Sequence, residues 1–266
     1  MERYPLIYLG SPVRNAHGND ETKAWILPEY LEGILRLDYP KDRITLSFLV
    51  NDSIDNSMDL LLELRSKYQS QYRKILINEV DFQVLRYVRN GKRCGYDHIA
   101  KVRNLWLQSL SDEEYIFSVD TDVILLPNTL TTLLSHSVDM CAALISNVFG
   151  NWNTCNILNN EMISTPVHNP STPPKRLRVA RHIPDIPDTG LIPVDVTGAC
   201  IVMHRKVIEA GVRYSDDKQG EDIAFCIDAQ AAGFGIYCDV GHRLFHAMGP
   251  GMLEDLEKWK VENNLN

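Results

Sequence analysis

Between Glu114 and Pro127 an apolar run is broken once, by two carboxylates: Tyr115, Ile116, Phe117 and Val119 read as a buried strand, Asp120 and Asp122 interrupt it, and 123–126 are apolar again. A chain carrying such a stretch must bring the two acids to the end of a core strand, because charge buried without a partner is costly. Spaced i, i+2 at a bend, they can converge on one hard cation and leave its other positions open to water and phosphate oxygens. The alternative is plainer: Asp120 caps the next turn and Asp122 is solvated.

Strands and helices alternate ahead of this stretch. Residues 5–10 form a short apolar strand followed by a polar loop at 11–15, and the spacing of Trp25, Ile26, Tyr30, Leu31, Ile34 and Leu35 predicts a helix over 22–37. A strand is expected at 43–50, turn formers and helix caps at 51–57, a helix at 58–68, a strand at 74–77 and a helix at 96–110. This order predicts an α/β fold with a mostly parallel central sheet, right-handed crossovers and ligands at the carboxyl ends of the strands.

The later chain is less regular. A helix at 129–134 and a strand at 140–145 precede a segment, 165–195, that holds seven of the thirteen prolines together with Lys175, Arg176, Arg178, Arg181 and His182. Such a composition forms neither a long helix nor a central strand, so it reads as a basic surface flap, or else as a linker. A strand at 194–203 carries Gly198 at its middle, which suggests close approach of a ligand or another backbone. A helix at 220–232 opens on Glu221 and Asp222, the last strand is expected at 234–240, residues 241–246 complete the core, and a terminal helix spans 252–259. We expect one catalytic domain over 1–250, with the flap at 165–193, and a helical tail at 251–266.

A formal charge of −8 argues against a nucleic-acid-coating role. The six cysteines form no CxxC pair, which points to free thiols in a reducing compartment rather than to zinc. No apolar run reaches membrane-spanning length, so the expectation is a cytoplasmic protein, with peripheral membrane contact left open.

Three acid-bearing places therefore follow strands or open helices: Asp52, the Asp120/Asp122 pair and Glu221/Asp222. Converging on one sheet edge, they offer a nucleotide contact, a metal site and a base. His246, with His242 second, is the candidate nitrogen ligand. The order of motifs resembles that of GT-A fold glycosyltransferases of family 2, and the first ~135 residues resemble the Anp-type mannosyltransferases. The stretches that carry this likeness are Ser11-Pro-Val-Arg-Asn15, Asp38-Tyr-Pro40, Ser47-Phe-Leu-Val-Asn-Asp-Ser53, Ala100-Lys-Val-Arg-Asn104 and Val119-Asp-Thr-Asp122.

The resemblance implies that Pro12, Val13, Arg14, Asn15 and Asp52 line the nucleotide pocket and that Arg103 lies beside the donor. Asp120 and Asp122 then hold Mn²⁺ or Mg²⁺ on the diphosphate of a nucleotide sugar, UDP-linked first and GDP-mannose second. It also implies that Asp222 is the base that deprotonates an acceptor hydroxyl, supported by Glu221. The acceptor is a glycan, a lipid-linked sugar or a polypeptide. The late acidic motif points to inversion, whereas Anp-type relatives retain configuration. Two other functions fit parts of the chain: a haloacid-dehalogenase-like phosphatase, with Asp120 as nucleophile and Asp122 as acid/base, and a non-catalytic sugar-nucleotide or glycan binding module.

Overall fold

The computed structural model describes residues 4–16, 26–83, 96–147, 152–153, 156–163, 175–183, 185–215 and 220–265, with the backbone alone for 96, 146–147, 152–153, 156–163 and 175–182. Its first half is regular. In order come β1 (Ile7–Val13), α1 (Ile26–Leu35), β2 (Ile44–Asn51), α2 (Ser57–Tyr68), β3 (Lys74–Val80), α3 (Tyr96–Leu107) and β4 (Tyr115–Val119). Parallel pairing places them in the order β3-β2-β1-β4. The expected loop at 11–15 is partly strand. β1 pairs with β2 as far as Val13 but with β4 only as far as Gly10, so Pro12 lies where one flank needs no further ladder bonds. The expected helix at 22–37 is described from Ile26 onward, its first residues lying outside the described ones.

The second half is mixed. β5 (Val123–Ile124), α4 (Thr129–Ser135), β6 (Met140–Asn147), β7 (Trp152–Asn153), β8 (Asn156–Ile163), β9 (Lys175–His182), β10 (Leu191–Pro193) and β11 (Cys200–His204) follow in turn. After them come α5 (Lys206–Glu209), α6 (Glu221–Ala231), β12 (Ile236–His246) and α7 (Leu253–Glu262). β11 runs antiparallel to both β4 and β6, and β6 is parallel to β12, so the sheet continues β4-β11-β6-β12-β10. Six of the eight strands on this path, all but β11 and β10, point the same way. A mostly parallel sheet is therefore what the chain forms.

Two expectations for this half need correction. The strand expected at 194–203 begins only at Cys200, because Ala199 takes a left-handed backbone (φ 62°) that breaks the extended run. The last strand, expected at 234–240, is β12 and runs on to His246 with a bulge inside it. The proline-rich segment contains β9, which pairs with β8 in a separate two-stranded ribbon rather than in the central sheet.

Alternation along the strands builds two cores. Ile7, Leu9, Phe117, Val119, Cys141 and Ala143 face α1, α2 and α4, while Tyr8, Ile116, Met140 and Ala142 face α3 and α6. The second core fixes α3 tightly. The Trp106 indole donates to the Ser47 carbonyl (2.9 Å), and the Tyr8 hydroxyl donates to the Trp106 carbonyl. Gly10 lets β1 and β2 come together here, since a Cβ on it would lie 1.9 Å from the Ser47 oxygen. Cys141, Cys200, Cys226 and Cys238 are free and buried; Cys94 and Cys155 lie outside the described side chains. No helix among the described residues is long and apolar enough to cross a membrane.

Candidate active site

The ends of β1, β2 and β4, together with α3, form an open cleft of about 220 Å³ lined by Pro12, Arg14, Asn51, His98, Arg103 and Asp120 to Asp122, among others. It lies at the carboxyl edge of the parallel half-sheet, as the strand order predicts. Of the four expected residues at the end of β1, Pro12 and Arg14 line this cleft. Val13 is fully buried in the core. Asn15 ties the loop to its neighbour: its N–H donates to Ser53 Oγ (2.8 Å) and its side-chain oxygen accepts from the Ile54 N–H (2.9 Å).

Asp52 also turns inward. Its side chain is 4% exposed, accepts from the Phe82 N–H (2.9 Å) and lies 3.6 Å from His98 Nε2. The groups facing the cleft beside it are Asn51 and His98, which the sequence analysis did not single out. The sequence carried only a weak signal for His98, a polar ring in the first turn of a helix after a strand. Burial lowers its pKa, partly offset by Asp52, and this favours the neutral imidazole.

The two carboxylates of the broken strand have different partners. Asp122 Oδ1 lies 3.4 Å from His246 Nε2, brought there by pairing of β5 with the end of β12, where His246 stands opposite Val123. The Ala247 N–H donates to the Asp122 carbonyl (2.7 Å) and fixes the approach. His242 instead bonds to Thr129 Oγ1 (2.9 Å). Among the described residues, no group of three or more His, Cys, Asp or Glu side chains is placed to hold a metal ion. A carboxylate oxygen and an imidazole nitrogen side by side nevertheless fit two positions of a Mn²⁺ ion whose remaining ligands are phosphate oxygens and water.

Asp120 is held by Arg103 from α3, at 2.9 Å. Arg103 is buried and reaches further: its Nε lies 3.7 Å from Glu221 on α6, and its guanidinium stands 5.4 Å over the Tyr214 ring. Tyr214 stacks on Phe225 (4.4 Å), and Asn104 brackets its backbone with two hydrogen bonds of 2.8 and 3.0 Å. Burial opposes the charge on Arg103, but Asp120, Asp222 and Glu221 outweigh it and hold its pKa above the ordinary value.

Next to Glu221, Asp222 faces Gly198, where a Cβ would come within 2.7 Å of its Oδ2. The close approach at Gly198, expected from a ligand or another backbone, is made instead by this side-chain carboxylate. Burial pushes the Asp222 carboxyl up to about 7; Arg103 pulls it down, and Glu221 and Asp120 push it up. Burial likewise raises Glu221, against Arg103. A carboxylate that titrates near neutrality beside a cleft is suited to accept a proton at physiological pH.

Comparison with known proteins agrees with this architecture. Over 150 residues the chain is 27% identical to procollagen galactosyltransferase 1-A of Xenopus laevis, covering 54% of this chain and 23% of that protein. It is 33% identical over 126 residues to the mannan polymerase II complex ANP1 subunit of Saccharomyces cerevisiae, covering 41% of this chain and 25% of that one. The chain thus spans about a quarter of the length of these relatives. Among solved structures, residues 1–349 of S. aureus TarS superpose with a TM-score of 0.57 at 15% identity, over 98% of this chain and 66% of that one. The mannosyltransferase PcManGT of Pyrobaculum calidifontis, solved with GDP-Man and Mn²⁺, gives 0.55 at 13% identity, over 97% and 61%. These likenesses show a GT-A glycosyltransferase fold. Residues 7–157, more than half of the 266, match the family described as Anp1, and the chain belongs to that family.

Proposed function

We propose that this chain transfers a glycosyl group from a nucleotide-diphosphate sugar to an acceptor hydroxyl, with inversion at the anomeric carbon. The observation that carries the reading is the buried Arg103, which joins Asp120 of the cleft to the acidic pair of α6. It sets a group titrating near 7, Asp222, behind the Arg103 wall of that cleft. The family and the fold support the same reading.

In this reading Pro12, Arg14, Asn51 and His98 receive the nucleoside, and the Arg14 and Arg103 guanidiniums face the diphosphate. Asp122 and His246 hold Mn²⁺ or Mg²⁺, with Asp120 beside them. When bound, the metal neutralises charge on the departing nucleoside diphosphate. Asp222 accepts the proton of the acceptor hydroxyl as its oxygen bonds to the anomeric carbon, and Glu221 keeps the Asp222 carboxyl poised near neutrality. Residues 1–250 act as one catalytic domain, carrying the 165–193 flap, with 251–266 as a helical tail. The phosphatase and binding-module readings are not favoured, since family and fold both point to glycosyl transfer.

The test is a thermal-shift screen against UDP, GDP, dTDP and CDP, each with Mn²⁺, Mg²⁺ or EDTA. A ligand at 100 times its dissociation constant stabilises by about 2.7 kcal/mol. A metal-dependent rise in Tm with one nucleotide, UDP first and GDP second, is the expected result. Equal Tm values in all twelve conditions would falsify the donor-site assignment.

A further inference from the structure

The strand that carries His246 is interrupted, and the interruption decides which way His246 faces. β12 pairs with β6 residue for residue from Ile236 opposite Met140 to Asp239 opposite Ala143, and pairing resumes with Arg243 opposite Leu144. Val240, Gly241 and His242 are therefore three extra residues on β12. Side chains alternate across a sheet, so an odd insertion reverses the faces of everything after it. The cores show this reversal. Ile236, Cys238 and Val240 lie in the core under α3 and α6, whereas Leu244, which unbroken alternation would put with them, lies in the opposite core. With the excursion absorbed into a straight strand, Arg243 would take the place of His246 beside Asp122.

A buried polar clamp holds the excursion. Asp239 Oδ1 accepts from the N–H groups of Gly241 (3.0 Å) and His242 (3.2 Å), and its Oδ2 lies 2.8 Å from His136 Nε2 at the end of α4. At the start of α4, Thr129 Oγ1 meets His242 Nε2 (2.9 Å) while accepting from the Leu126 N–H (3.0 Å). Asp239, His242 and Thr129 are all buried. Because α4 follows directly on Asp122 and β5, both sides of the Asp122–His246 contact are tied to one short helix.

We propose that Asp239 is a positioning residue for the metal-side histidine: by fixing a three-residue excursion in β12 it sets the parity that turns His246 toward Asp122. The metal-binding consequence rests on the reading of Asp122 and His246 as ligands; the register consequence does not. The test uses crystal structures and Mn²⁺ titration, with free Mn²⁺ read by electron paramagnetic resonance, on the wild type, Asp239→Ala, Asp239→Asn and Thr129→Val, with Asp122→Asn and His246→Ala as ligand controls. Asp239→Ala is expected to change the register after residue 239, separate His246 from Asp122 and weaken Mn²⁺ about 10- to 100-fold. Asp239→Asn keeps an oxygen acceptor for the two N–H groups and is expected to retain the register and bind within about threefold of wild type. Thr129→Val, which removes the His242 bond together with the acceptor for the Leu126 N–H, should fall between them. An Asp239→Ala structure that keeps Arg243 opposite Leu144 and His246 against Asp122 overturns the proposal. Should that variant not fold, the His136→Ala/Thr129→Val double variant, which cuts both ties to α4, takes its place with the same two outcomes. Unchanged Mn²⁺ binding in both ligand controls removes the metal reading instead, and the crystallographic register still decides the role of Asp239.

Discussion

The two halves of the sheet deliver their functional groups by different means. In β3-β2-β1-β4 the pairing is parallel and without register shifts, and the groups that reach the cleft, Pro12, Arg14, Asn51 and Asp120, sit where strands end. In β11-β6-β12-β10 the pairing is mixed, and the groups arrive through irregularities: a left-handed residue at Ala199, close contact at Gly198 and a bulge before His246. The family match covers 7–157 and so takes in the regular half but not Asp222 or His246. A cleft at strand ends can be inherited as a pattern of strands, whereas the placement of Asp222 and His246 depends on local geometry that a small change can lose.

The sharpest way to break this contrast is at Asp222. Asp222→Asn is expected to lower kcat for transfer by about 10²- to 10⁴-fold while nucleotide affinity stays within about twofold, because it removes proton acceptance and leaves the donor cleft intact. Loss of nucleotide binding in parallel with kcat would erase the division between the halves. Gly198→Ala comes next. A methyl group 2.7 Å from the Asp222 carboxylate must displace it, and overpacking of this kind costs about 1–3 kcal/mol, so steady-state kinetics should show roughly a 10- to 100-fold loss in kcat with little change in donor KM.

A subtler test uses the pH profile. The base works deprotonated, so kcat should rise with pH through about 7, the position to which burial has moved Asp222. Arg103 lowers that position and Glu221 raises it, so Arg103→Gln should move the acidic limb to higher pH and Glu221→Gln to lower pH. Matching limbs in all three proteins would detach Asp222 from the rate. The smallest effect is on stability. A carboxyl whose folded pKa lies above its ordinary value of 3.8 costs stability as pH rises from about 4 to about 7, since the folded state holds its proton longer than the unfolded chain. Asp222→Asn should therefore match wild type in Tm near pH 4 and exceed it at pH 8, by about 2–4 °C for each kcal/mol relieved.

The alternation of strands and helices, and the break at Asp120 and Asp122, were legible because apolar periodicity is a local property. The ends of elements were less so. Pro12 lies inside β1 only because β4 stops short, a fact about a neighbouring strand rather than about 11–15. At the site, Asp120, Asp122, Arg103 and Asp222 could be proposed from motif order, and the structure adds which atoms they address. Asp52 was expected to line the nucleotide pocket, yet its carboxylate turns to the Phe82 N–H, and Asn51 and His98 beside it face the cleft. That exchange depends on its left-handed backbone (φ 47°), which residue type permits but does not dictate. The parity of β12 was out of reach, because three added residues look the same in sequence as a longer strand.

The buried thiols give the irregular half its own reporter. Cys141, Cys200, Cys226 and Cys238 lie on β6, β11, α6 and β12, all in the second half, and burial pushes the Cys141 and Cys226 thiols up to about 12. A thiol kept protonated and out of solvent is inert to alkylating reagents until its surroundings open. In a variant with Cys94 and Cys155 replaced by serine, the rate of alkylation therefore measures how often the half that carries Asp222 and His246 comes apart, while the regular half stays chemically silent.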